Sequence, residues 1–572
     1  MHNVKKTTLL YLILLFFFSS FISASSLSIN SNSRTVRLGE LLALEVEASE
    51  DTSIRWMIGE EVKSVKKRFY FTPTKEGIYQ IKVFNGEVEE DSITIRVTSF
   101  PTPQCSNTTI VATGNDGEVK ETRCNIQEAL DFLQLHNGGV AHLSAGIYPI
   151  NQQLIIYDNI TIEGTMDGED TRSTIRLEND VQWSDRGRGG DWVAVPPLII
   201  NDANIEKGQS LLRQHLSSSN HNITIKNIQI NANRENQLRK WHSGEGHYIV
   251  ISFKDVKDVN ISNVTLYNGL SDGIFIKTGE NISINNSKIK DMGHSAIYQV
   301  EVHHAVVENN KIDVHVNSGI RFFGGTDFTI RDNTIFSSSH YGNYGIQISQ
   351  AYSANIPMKN VLIENNIITQ IPYAGIALYA SKEGDIAEAI IKNNIIVGCG
   401  SKAPNLSEFP NTTTEESGGI NIQSFKDVTI VNNTLFNNYG SGIWIDNRFY
   451  NSDVDFSGLE RILKKVTIKS NIIARSNSEK KEAYGVEKYL STSSSGTTLN
   501  IFNNIFYKNQ NGSYSSNIKL NRDNFFNKSP NFMDEIEFDL RLKSNSIALD
   551  EAGNVTIGAS KEMLERYKNL FL

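Results

Sequence analysis

Cysteine is scarce in this sequence, with three in 572 residues, and this excludes a fold held together mainly by disulfides. Cys105 and Cys124 are close enough in sequence to form one disulfide in an oxidising compartment, which leaves Cys399 as a buried apolar residue. No spacing of cysteine and histidine resembles a zinc site. The acidic residues are too dispersed for a recognisable calcium motif. We therefore predict no metal and no cofactor, with calcium left open.

An excess of positive charge is also absent. The chain has 55 basic and 64 acidic residues and a net charge of −9, which argues against nucleic acid as its main partner. It has one strongly apolar run, residues 9–22, preceded by Lys5 and Lys6 and followed by small residues. This pattern predicts a signal peptide over residues 1–26, with an uncleaved anchor left open. We expect a secreted or cell-surface-associated protein with no transmembrane domain in its mature form.

The chain is too long for a single ordinary core, and its pattern changes near residue 100. Residues 27–100 alternate polar and apolar side chains, as in residues 42–48, and predict a small β-sandwich. The segment resembles the immunoglobulin-like modules of surface proteins, and we expect it to serve as a spacer or cap rather than a sugar-binding module. Residues 101–139 are expected to be a linker followed by an amphipathic helical cap over residues 126–135. A short helix is expected in the tail, residues 556–572.

A short phrase dominates the remaining sequence: an apolar residue, any residue, Asn, a polar residue, any residue and a second apolar residue. Three successive steps between its copies are 23 residues long, and such a repeat of short strands predicts a solenoid. Asn suits the corner between two sheets because it tolerates left-handed backbone conformations. Stacked corner side chains are expected to hydrogen-bond as a ladder. The corner positions are Asn227, Asn263, Asn286, Asn309, Asp332, Asn365, Asn393, Asn432, Ser470 and Asn503.

A second phrase, Gly-Ile or similar, recurs once per repeat. Alternation places its Ile inside the solenoid and the following residue outside. The outward column is Phe275, Tyr298, Arg321, Gln347, Ala377, Asn421, Trp444 and Glu487. Aromatic rings and planar donors on a flat outer face suit a polysaccharide, because rings stack on sugar faces and Arg binds carboxylates.

Seven of the twelve histidines lie between residues 242 and 340, close in sequence to several carboxylates. Hydrolysis of a glycosidic bond needs two carboxyl groups, and Asp272 and Glu245 are the best candidates. We place His294 with them, where it would either tune the acidity of Asp272 or hold substrate. The plainer interpretations are a turn-capping Asp272, a solvated Glu245, a structural His294 and a surface ion pair for Arg321. The predicted substrate-binding residues are Tyr298, Asn317, Arg321, Gln347 and His247.

Two resemblances add to this interpretation. The series 271–273 (Ser-Asp-Gly), 293–294 (Gly-His) and 319–321 (Gly-Ile-Arg) resembles the Asp-Asp, Gly-His and Arg-x-Lys series of polygalacturonase-type hydrolases. The match is partial, because Ser271 replaces one Asp and Phe323 stands where Lys is expected.

A closer resemblance covers about residues 228–553 and is to the disaggregatase-related family of archaeal β-helix proteins. It is carried by residues 231–234, 293–298, 317–321, 345–348, 418–420 and 484–486. The helical cap is similar to that of pectin-lyase-like β-helices. These resemblances imply an all-β chain in which residues 140–555 form one right-handed parallel β-helix. They also imply degradation of methanochondroitin, a uronate-containing matrix of methanogenic archaeal cells.

The sequence therefore predicts a secreted, monomeric glycoside hydrolase whose partner is an acidic polysaccharide. Two alternatives remain open. A polysaccharide lyase or uronate C5-epimerase would remove the proton next to the uronate carboxyl group by means of His294, Tyr298 or Arg321. A non-catalytic, carbohydrate-binding surface protein would use the same outer face without chemistry.

Overall fold

A computed structural model of the chain describes residues 28–30, 35–37, 42–46, 53–71, 73, 75, 77–98, 108–166, 172–179, 181, 198–204, 217–237, 249–339, 342–349, 358–379, 387–400, 418–423, 425–446, 465–477, 482–489, 498–516, 518 and 523–571. The signal-peptide segment, Cys105, Glu245 and His247 lie outside these residues. The chain divides near Pro101 into two compact units, each described by itself. No helix in the described ranges is long and apolar enough to cross a membrane.

The described residues of the first unit form eight strands in two sheets. The strands are β1 (Ile29–Asn30), β2 (Thr35–Arg37), β3 (Leu42–Val46), β4 (Ile54–Ile58), β5 (Glu61–Ser64), β6 (Arg68–Phe71), β7 (Gly77–Asn85) and β8 (Val88–Thr98). One sheet has the order β1-β3-β6 and the other β2-β8-β7-β4-β5. Trp56, Leu44 and Ile81 are fully buried together, so the alternating pattern does build a sandwich core. Its immunoglobulin-like character stays a prediction.

The second unit begins with a cap. Strands β9 (Ile110–Gly114) and β10 (Val119–Thr122) form an antiparallel hairpin, and helix α1 (Ile126–Leu135) follows. The side chain of Asn125 accepts a hydrogen bond from the backbone N–H of Glu128, which caps the start of α1. The apolar face of α1 is buried, and Cys124, just before it, is disulfide-bonded. The cap closes the edge of the first coil, because β9 pairs antiparallel with the first coil strand.

The coils follow the cap. Their strands are β11 (Gly139–Leu143), β12 (Gly146–Ile150), β13 (Leu154–Ile156), β14 (Ile160–Glu163), β15 (Ser173–Leu177), β16 (Ile199–Asn201), β17 (Asn220–Asn231), β18 (Ile251–Tyr267), β19 (Ile274–Asn285), β20 (Lys288–Ile289), β21 (Ile297–Glu308), β22 (Lys311–Asp313), β23 (Ser318–Arg331), β24 (Thr334–Phe336), β25 (Tyr344–Ser349), β26 (Met358–Glu364), β27 (Ile367–Thr369), β28 (Ala374–Tyr379), β29 (Ala387–Lys392), β30 (Ile395–Val397), β31 (Gly418–Gln423), β32 (Asp427–Val431), β33 (Thr434–Phe436), β34 (Ser441–Asp446), β35 (Lys465–Lys469), β36 (Ile472–Ala474), β37 (Val486–Tyr489), β38 (Thr498–Phe502), β39 (Ile505–Tyr507) and β40 (Phe525–Phe526).

These strands stack in parallel into three sheets. Sheet 1 contains β13, β16, β25, β28, β31, β34 and β37; sheet 2 contains β11, β14, β26, β29, β32, β35 and β38; sheet 3 contains β12, β15, β20, β22, β24, β27, β30, β33, β36, β39 and β40. Strands β17, β18, β19, β21 and β23 bend at corners and contribute to more than one sheet. The predicted inward column is confirmed, because Ile274, Ile297 and Ile320 pair in register and are fully buried. The chain is therefore an all-β, right-handed parallel β-helix.

The corners between sheets 2 and 3 confirm one prediction and correct another. All ten predicted corner residues have φ between 51° and 58°, in the left-handed region. The predicted corner side chains form a ladder only in part, for example from Asn263 to Asn227 at 2.8 Å and from Asn393 to Asn365 at 2.7 Å. The continuous side-chain ladder lies one residue later, because that next residue turns into the buried interior. In this ladder the Nδ2 atom of each Asn donates to the Oδ1 atom of the next at 2.9–3.0 Å. Its members are Asn310, Asn333, Asn366, Asn394, Asn433, Asn471, Asn504 and Asn524.

The C-terminal segment folds back on the coils. Strands β41 (Phe532–Asp534) and β42 (Asp539–Leu542) form a hairpin, and helix α2 (Lys561–Phe571) ends the described chain. Leu564 and Tyr567 of α2 join a buried cluster with Val397 and Phe436 of sheet 3. The parallel coils therefore end at β40, and the residues after them cover sheet 3. This differs from the predicted β-helix boundary at residue 555, because β41 and β42 pair antiparallel with each other instead of stacking on the coils.

Candidate functional site

The predicted site lies where the chain turns from sheet 3 into sheet 1, on the coils of β18 to β25. Asp272, His294 and Asn317 occupy this turn on three successive coils. The coils approach each other closely here. A Cβ atom on Gly273 would lie 2.6 Å from the carbonyl oxygen of Ala296, and one on Gly319 2.7 Å from that of Gly345. Glycine therefore lets the strands of sheet 1 start directly beside the turn.

Asp272 is buried and holds His294 in place. Its Oδ1 atom accepts one hydrogen bond from Nδ1 of His294 at 2.8 Å and another from the backbone N–H of Ser295 at 2.9 Å. Asp272 is 5% exposed, whereas the His294 side chain is 24% exposed. Because a carboxylate only accepts hydrogen bonds, the bond fixes a proton on Nδ1 of His294. Asp272 is thus placed to orient His294, and the imidazole is the more accessible of the two groups.

The other nitrogen of His294 meets Asn317. The Nδ2 atom of Asn317 lies 2.7 Å from Nε2 of His294 and donates to it when the imidazole is neutral. The Oδ1 atom of Asn317 accepts a hydrogen bond from Ser318 Oγ at 3.0 Å. The three predicted residues therefore form one connected chain, Asp272 to His294 to Asn317. A ligand that replaces the Asn317 amide would gain access to Nε2.

Arg321 lies between two aromatic rings. Its Cζ atom is 4.8 Å from the centre of the Tyr298 ring and 4.4 Å from that of Phe323, distances at which a cation is attracted to a ring face. No carboxylate among the described residues forms an ion pair with Arg321, and its buried Nε atom has no hydrogen-bond partner. The plainer interpretation of Arg321 as half of a surface ion pair therefore finds no support within the described chain. The contact of Phe323 with Arg321 was not predicted, although its place two residues after Arg321 on one strand puts both on the same face.

Tyr298 connects the hydrogen-bonded chain Asp272–His294–Asn317 to Arg321. Its ring centre lies 6.2 Å from that of His294, 5.7 Å from that of Phe323 and 5.2 Å from that of Phe275, in edge-to-face arrangements. Tyr298 and Arg321 are direct neighbours in the parallel register of β21 and β23. Four predicted residues, His294, Tyr298, Asn317 and Arg321, are thus brought together around the buried Asp272.

The outward column of sheet 1 differs from its prediction along most of its length. Gln347 is 7% exposed, and its Oε1 atom accepts a hydrogen bond from Ser318 Oγ at 2.9 Å. Three later members, Ala377, Asn421 and Trp444, are fully buried. The expectation of an open flat face is therefore wrong beyond Arg321, apart from a partly exposed Glu487. Alternation fixes the side of a sheet on which a residue lies, but it does not tell whether other parts of the chain cover that side.

The second predicted carboxylate cannot be placed, because Glu245 lies outside the described residues, as does His247. Among the residues that are described, no carboxylate other than Asp272 bonds to His294 or Arg321. No group of three or more His, Cys, Asp or Glu side chains in the described ranges could hold a metal ion. The pairing of Asp272 with Glu245 stays a prediction.

Comparison with known families agrees with this architecture. A model described as "right handed beta helix region" matches residues 215–384, and one described as "disaggregatase related" matches residues 358–565. The chain is a right-handed parallel β-helix protein, and the predicted resemblance to the disaggregatase-related family is confirmed. The family match begins after the coils that carry Asp272, His294 and Arg321. No curated protein sequence matches the chain.

Several solved structures are similar to this one. The A-module of the mannuronan C-5 epimerase AlgE4 of Azotobacter vinelandii is 16% identical, with a TM-score of 0.48 over 70% of this chain and 94% of that one. A family 28 exopolygalacturonase of Yersinia enterocolitica is 12% identical, with a TM-score of 0.41 over 84% and 98%. A hyperthermoactive exopolygalacturonase of Thermotoga maritima is also 12% identical, with a TM-score of 0.43 over 70% and 87%. All three TM-scores lie under 0.5.

Proposed function

We propose that this chain is an exported enzyme that cuts a uronate-containing polysaccharide. The observation that carries the proposal is the Arg321 guanidinium, held between Tyr298 and Phe323 without a carboxylate partner among the described residues. A planar guanidinium binds a carboxylate through two parallel hydrogen bonds. The flanking rings restrict the Arg321 side chain before binding, which lowers the entropy cost of immobilising it.

A uronate unit carries the carboxylate that Arg321 lacks among the described residues. Its carboxylate would pair with Arg321, and its ring face would lie against the exposed part of Tyr298. The disaggregatase-related match supports a matrix polymer of the methanochondroitin type as the natural substrate. Such polymers lie outside cells, in keeping with the signal sequence predicted at residues 1–26.

Hydrolysis is the reaction we propose first. It requires a carboxylic acid to protonate the leaving oxygen and a second carboxylate to act as base or nucleophile. Asp272 is nearly enclosed and already accepts hydrogen bonds from His294 and Ser295. We propose that Asp272 also positions His294, and its pairing with Glu245 in hydrolysis stays a prediction.

A second candidate is a lyase or C5-epimerase, favoured by the grouping of His294, Tyr298 and Arg321. Neutralising a uronate carboxylate makes the adjacent C–H group more acidic, and a base beside it then removes the proton. His294 would be that base through Nε2 once the Asn317 amide is displaced. The products distinguish the candidates. A lyase forms an unsaturated uronate that absorbs ultraviolet light, an epimerase changes uronate composition without cutting, and a hydrolase forms new reducing ends alone.

The binding part of the proposal is tested with Arg321→Ala. Binding to unsulfated chondroitin is measured beside binding to the same polymer with its carboxyl groups chemically reduced. Loss of even one charge-assisted hydrogen bond, worth about 1.5–3 kcal/mol, predicts at least roughly 10- to 150-fold weaker binding of the acidic polymer only. Arg321→Lys keeps the charge and should recover part of the affinity.

Arg331→Ala is the matched control, because Arg331 lies on the same strand but pairs with Glu308 in sheet 2. It should leave both affinities unchanged. Equal losses for the acidic and the reduced polymer in Arg321→Ala would remove the carboxylate-binding role.

A further inference from the structure

The outer face of sheet 1 is open on the coils before Arg321, although it is closed on the coils after it. The next outward residue after Arg321, Gln347, is only 7% exposed. On the earlier coils two outward positions of each strand precede the corner to sheet 2. They are Ser252 and Lys254 of β18, Phe275 and Lys277 of β19, Tyr298 and Val300 of β21, and Arg321 and Phe323 of β23. This set contains three basic residues and no acidic residue.

Five residues of this set form a partly exposed band that crosses the sheet obliquely. Arg321 lies beside Tyr298 on the neighbouring strand, and Val300 follows two residues after Tyr298. Val300 is the register partner of Lys277, which is in turn the register partner of Lys254. All five side chains keep part of their surface in solvent, whereas the other members of the set are buried. The oblique band is therefore accessible to a ligand along its whole length.

The two lysines at the far end of the band are poorly neutralised. The Nζ atom of Lys254 lies 4.0 Å from Oδ2 of Asp255, and the Lys254 side chain is 30% exposed. Lys277 forms no ion pair with any carboxylate of the described residues. Because Lys254 and Lys277 are direct neighbours in register, their like charges repel each other. An anion bound by both ammonium groups would remove this repulsion.

We propose that Lys277 and Lys254 bind a second uronate carboxylate of the same polymer whose first uronate pairs with Arg321. The inference rests on the proposed function and extends its binding site along the oblique band. Two strand spacings and two residues along the strand place the Cα atoms of Arg321 and Lys277 roughly 12 Å apart. Side chains stand roughly perpendicular to a sheet, and Tyr298 and Phe323 flank Arg321, so one carboxylate would not bridge both positions. The ligand therefore carries at least two uronate units.

The two ends of the band have different tasks. Arg321 has a planar fork of donors, and its neighbour Tyr298 has its ring centre 6.2 Å from that of His294. The Arg321 end therefore positions one uronate beside the hydrogen-bonded chain at the turn. Lysine carries a compact charge on a flexible stem, so Lys277 and Lys254 accept a carboxylate over a range of positions. They hold the remote part of the polymer, and this binding is the same in the ground state and the transition state.

The test compares a Lys254→Gln, Lys277→Gln double variant with the wild-type protein. The ligands are oligosaccharides of chondroitin, hyaluronan, polygalacturonate and alginate, in short forms with one uronate, long forms with several, and carboxyl-reduced long forms. For a long form that the wild type binds, the double variant should bind at least ~10-fold more weakly, the scale of one lost charge-assisted hydrogen bond. Binding of the short form should stay within about twofold of wild type, because Arg321 is unchanged. The affinity of the double variant should also depend less on salt.

A Lys288→Gln, Lys311→Gln double variant is the matched control. Lys288 and Lys311 are also exposed and direct register partners, but they lie on the outer side of sheet 3. The control removes the same charge and should leave every affinity unchanged. With a polymer that the wild type cuts, the Lys254→Gln, Lys277→Gln variant should raise KM at an unchanged kcat, because it removes binding shared by the ground and transition states.

The outcomes separate the two proposals. Wild-type binding that needs Arg321 but is unchanged in the folded Lys254→Gln, Lys277→Gln variant overturns the inference and leaves the proposed function standing. Equal weakening in the sheet 3 control would show that net charge alone governs binding, which also overturns the inference. Equal weakening for the carboxyl-reduced long form overturns it as well. A wild type that binds none of the acidic oligosaccharides overturns the proposed function, and this inference with it.

Discussion

Replacing Asn394 with Leu removes one member of the interior Asn ladder while keeping its approximate size. The Nδ2 atom of Asn394 donates to Asn433 Oδ1 and to the carbonyl oxygens of Ile363 and Lys392, at 2.9–3.0 Å. Its Oδ1 atom accepts from the backbone N–H and from Nδ2 of Asn366, at 2.9 and 3.0 Å. These are five hydrogen-bond contacts of a fully buried side chain, in which the two hydrogens of Nδ2 are shared among three acceptors, and all five contacts are lost at once.

At about 1 kcal/mol per hydrogen bond the loss approaches ~5 kcal/mol. Two of the groups that lose the Asn394 side chain keep another hydrogen-bond partner. Asn366 Nδ2 also donates to the carbonyl oxygen of Ile330, and Asn433 Oδ1 also accepts from the backbone N–H of Asn394. The apolar surface that the Leu side chain buries offsets a further part of this loss of free energy. We therefore expect the free energy of unfolding of the surrounding coils to fall by about 3–4 kcal/mol.

Amide hydrogen exchange is the suitable assay, because neighbouring coils of a solenoid need not unfold as one unit with the rest. Exchange in β26 to β33 should quicken by roughly two to three decades in Asn394→Leu. Asn500→Ala, a partly exposed position in β38, is the control and should stay within ~0.5 kcal/mol of wild type. Equal exchange in the two variants would refute the view that the ladder stabilises the coils.

Three further predictions concern other groups. Burial raises the pKa of Cys399 to about 12, so iodoacetamide should label Cys399 only after denaturation, as peptide mass spectrometry would show; rapid labelling of the folded protein would contradict its burial. Burial lowers the pKa of His315 below its usual 6.5, so its contribution to stability is present above pH 6.5 and lost as pH falls through the folded pKa. The urea midpoint should therefore drop less between pH 7 and 5 in His315→Gln, and an unchanged drop would exclude this role. Arg566 of α2 donates hydrogen bonds to the carbonyl oxygens of Asp332 and Asn365. The Arg566→Ala variant should therefore show at least tenfold faster amide hydrogen exchange in α2. Unchanged exchange would show that these bonds do not anchor the helix.

The corners and the core of the β-helix were predictable because each depends on local physics. A left-handed corner favours Asn in any sequence context, and alternation along a strand determines which side chains point inward. The predicted ladder at the corners forms only in part, and the continuous one lies one residue later, because two adjacent polar residues in the repeated phrase both satisfy the pattern. Backbone direction at the corner decides between them, and the left-handed residue turns the following side chain inward.

The site was predictable only in part. The equal spacing of the coils brought His294, Asn317 and Arg321 onto neighbouring turns, so their proximity followed from the repeat length alone. The enclosure of Asp272 did not follow, because it depends on a hydrogen bond to the backbone of Ser295 on the next coil. The buried state of Trp444 was equally hidden, since alternation assigns it to an outer face without showing what lies over it.

The assignment as a uronate-cutting hydrolase is tested most directly by product analysis of the wild-type protein. The protein is incubated with unsulfated chondroitin, hyaluronan, polygalacturonate and alginate, and with the carboxyl-reduced form of each. New reducing ends and ultraviolet absorbance are followed together. We expect reducing ends from at least one acidic polymer, no rise in absorbance, and at least tenfold slower release from its reduced form. Absorbance rising in step with the reducing ends, or no product from any of the polymers, would contradict the assignment.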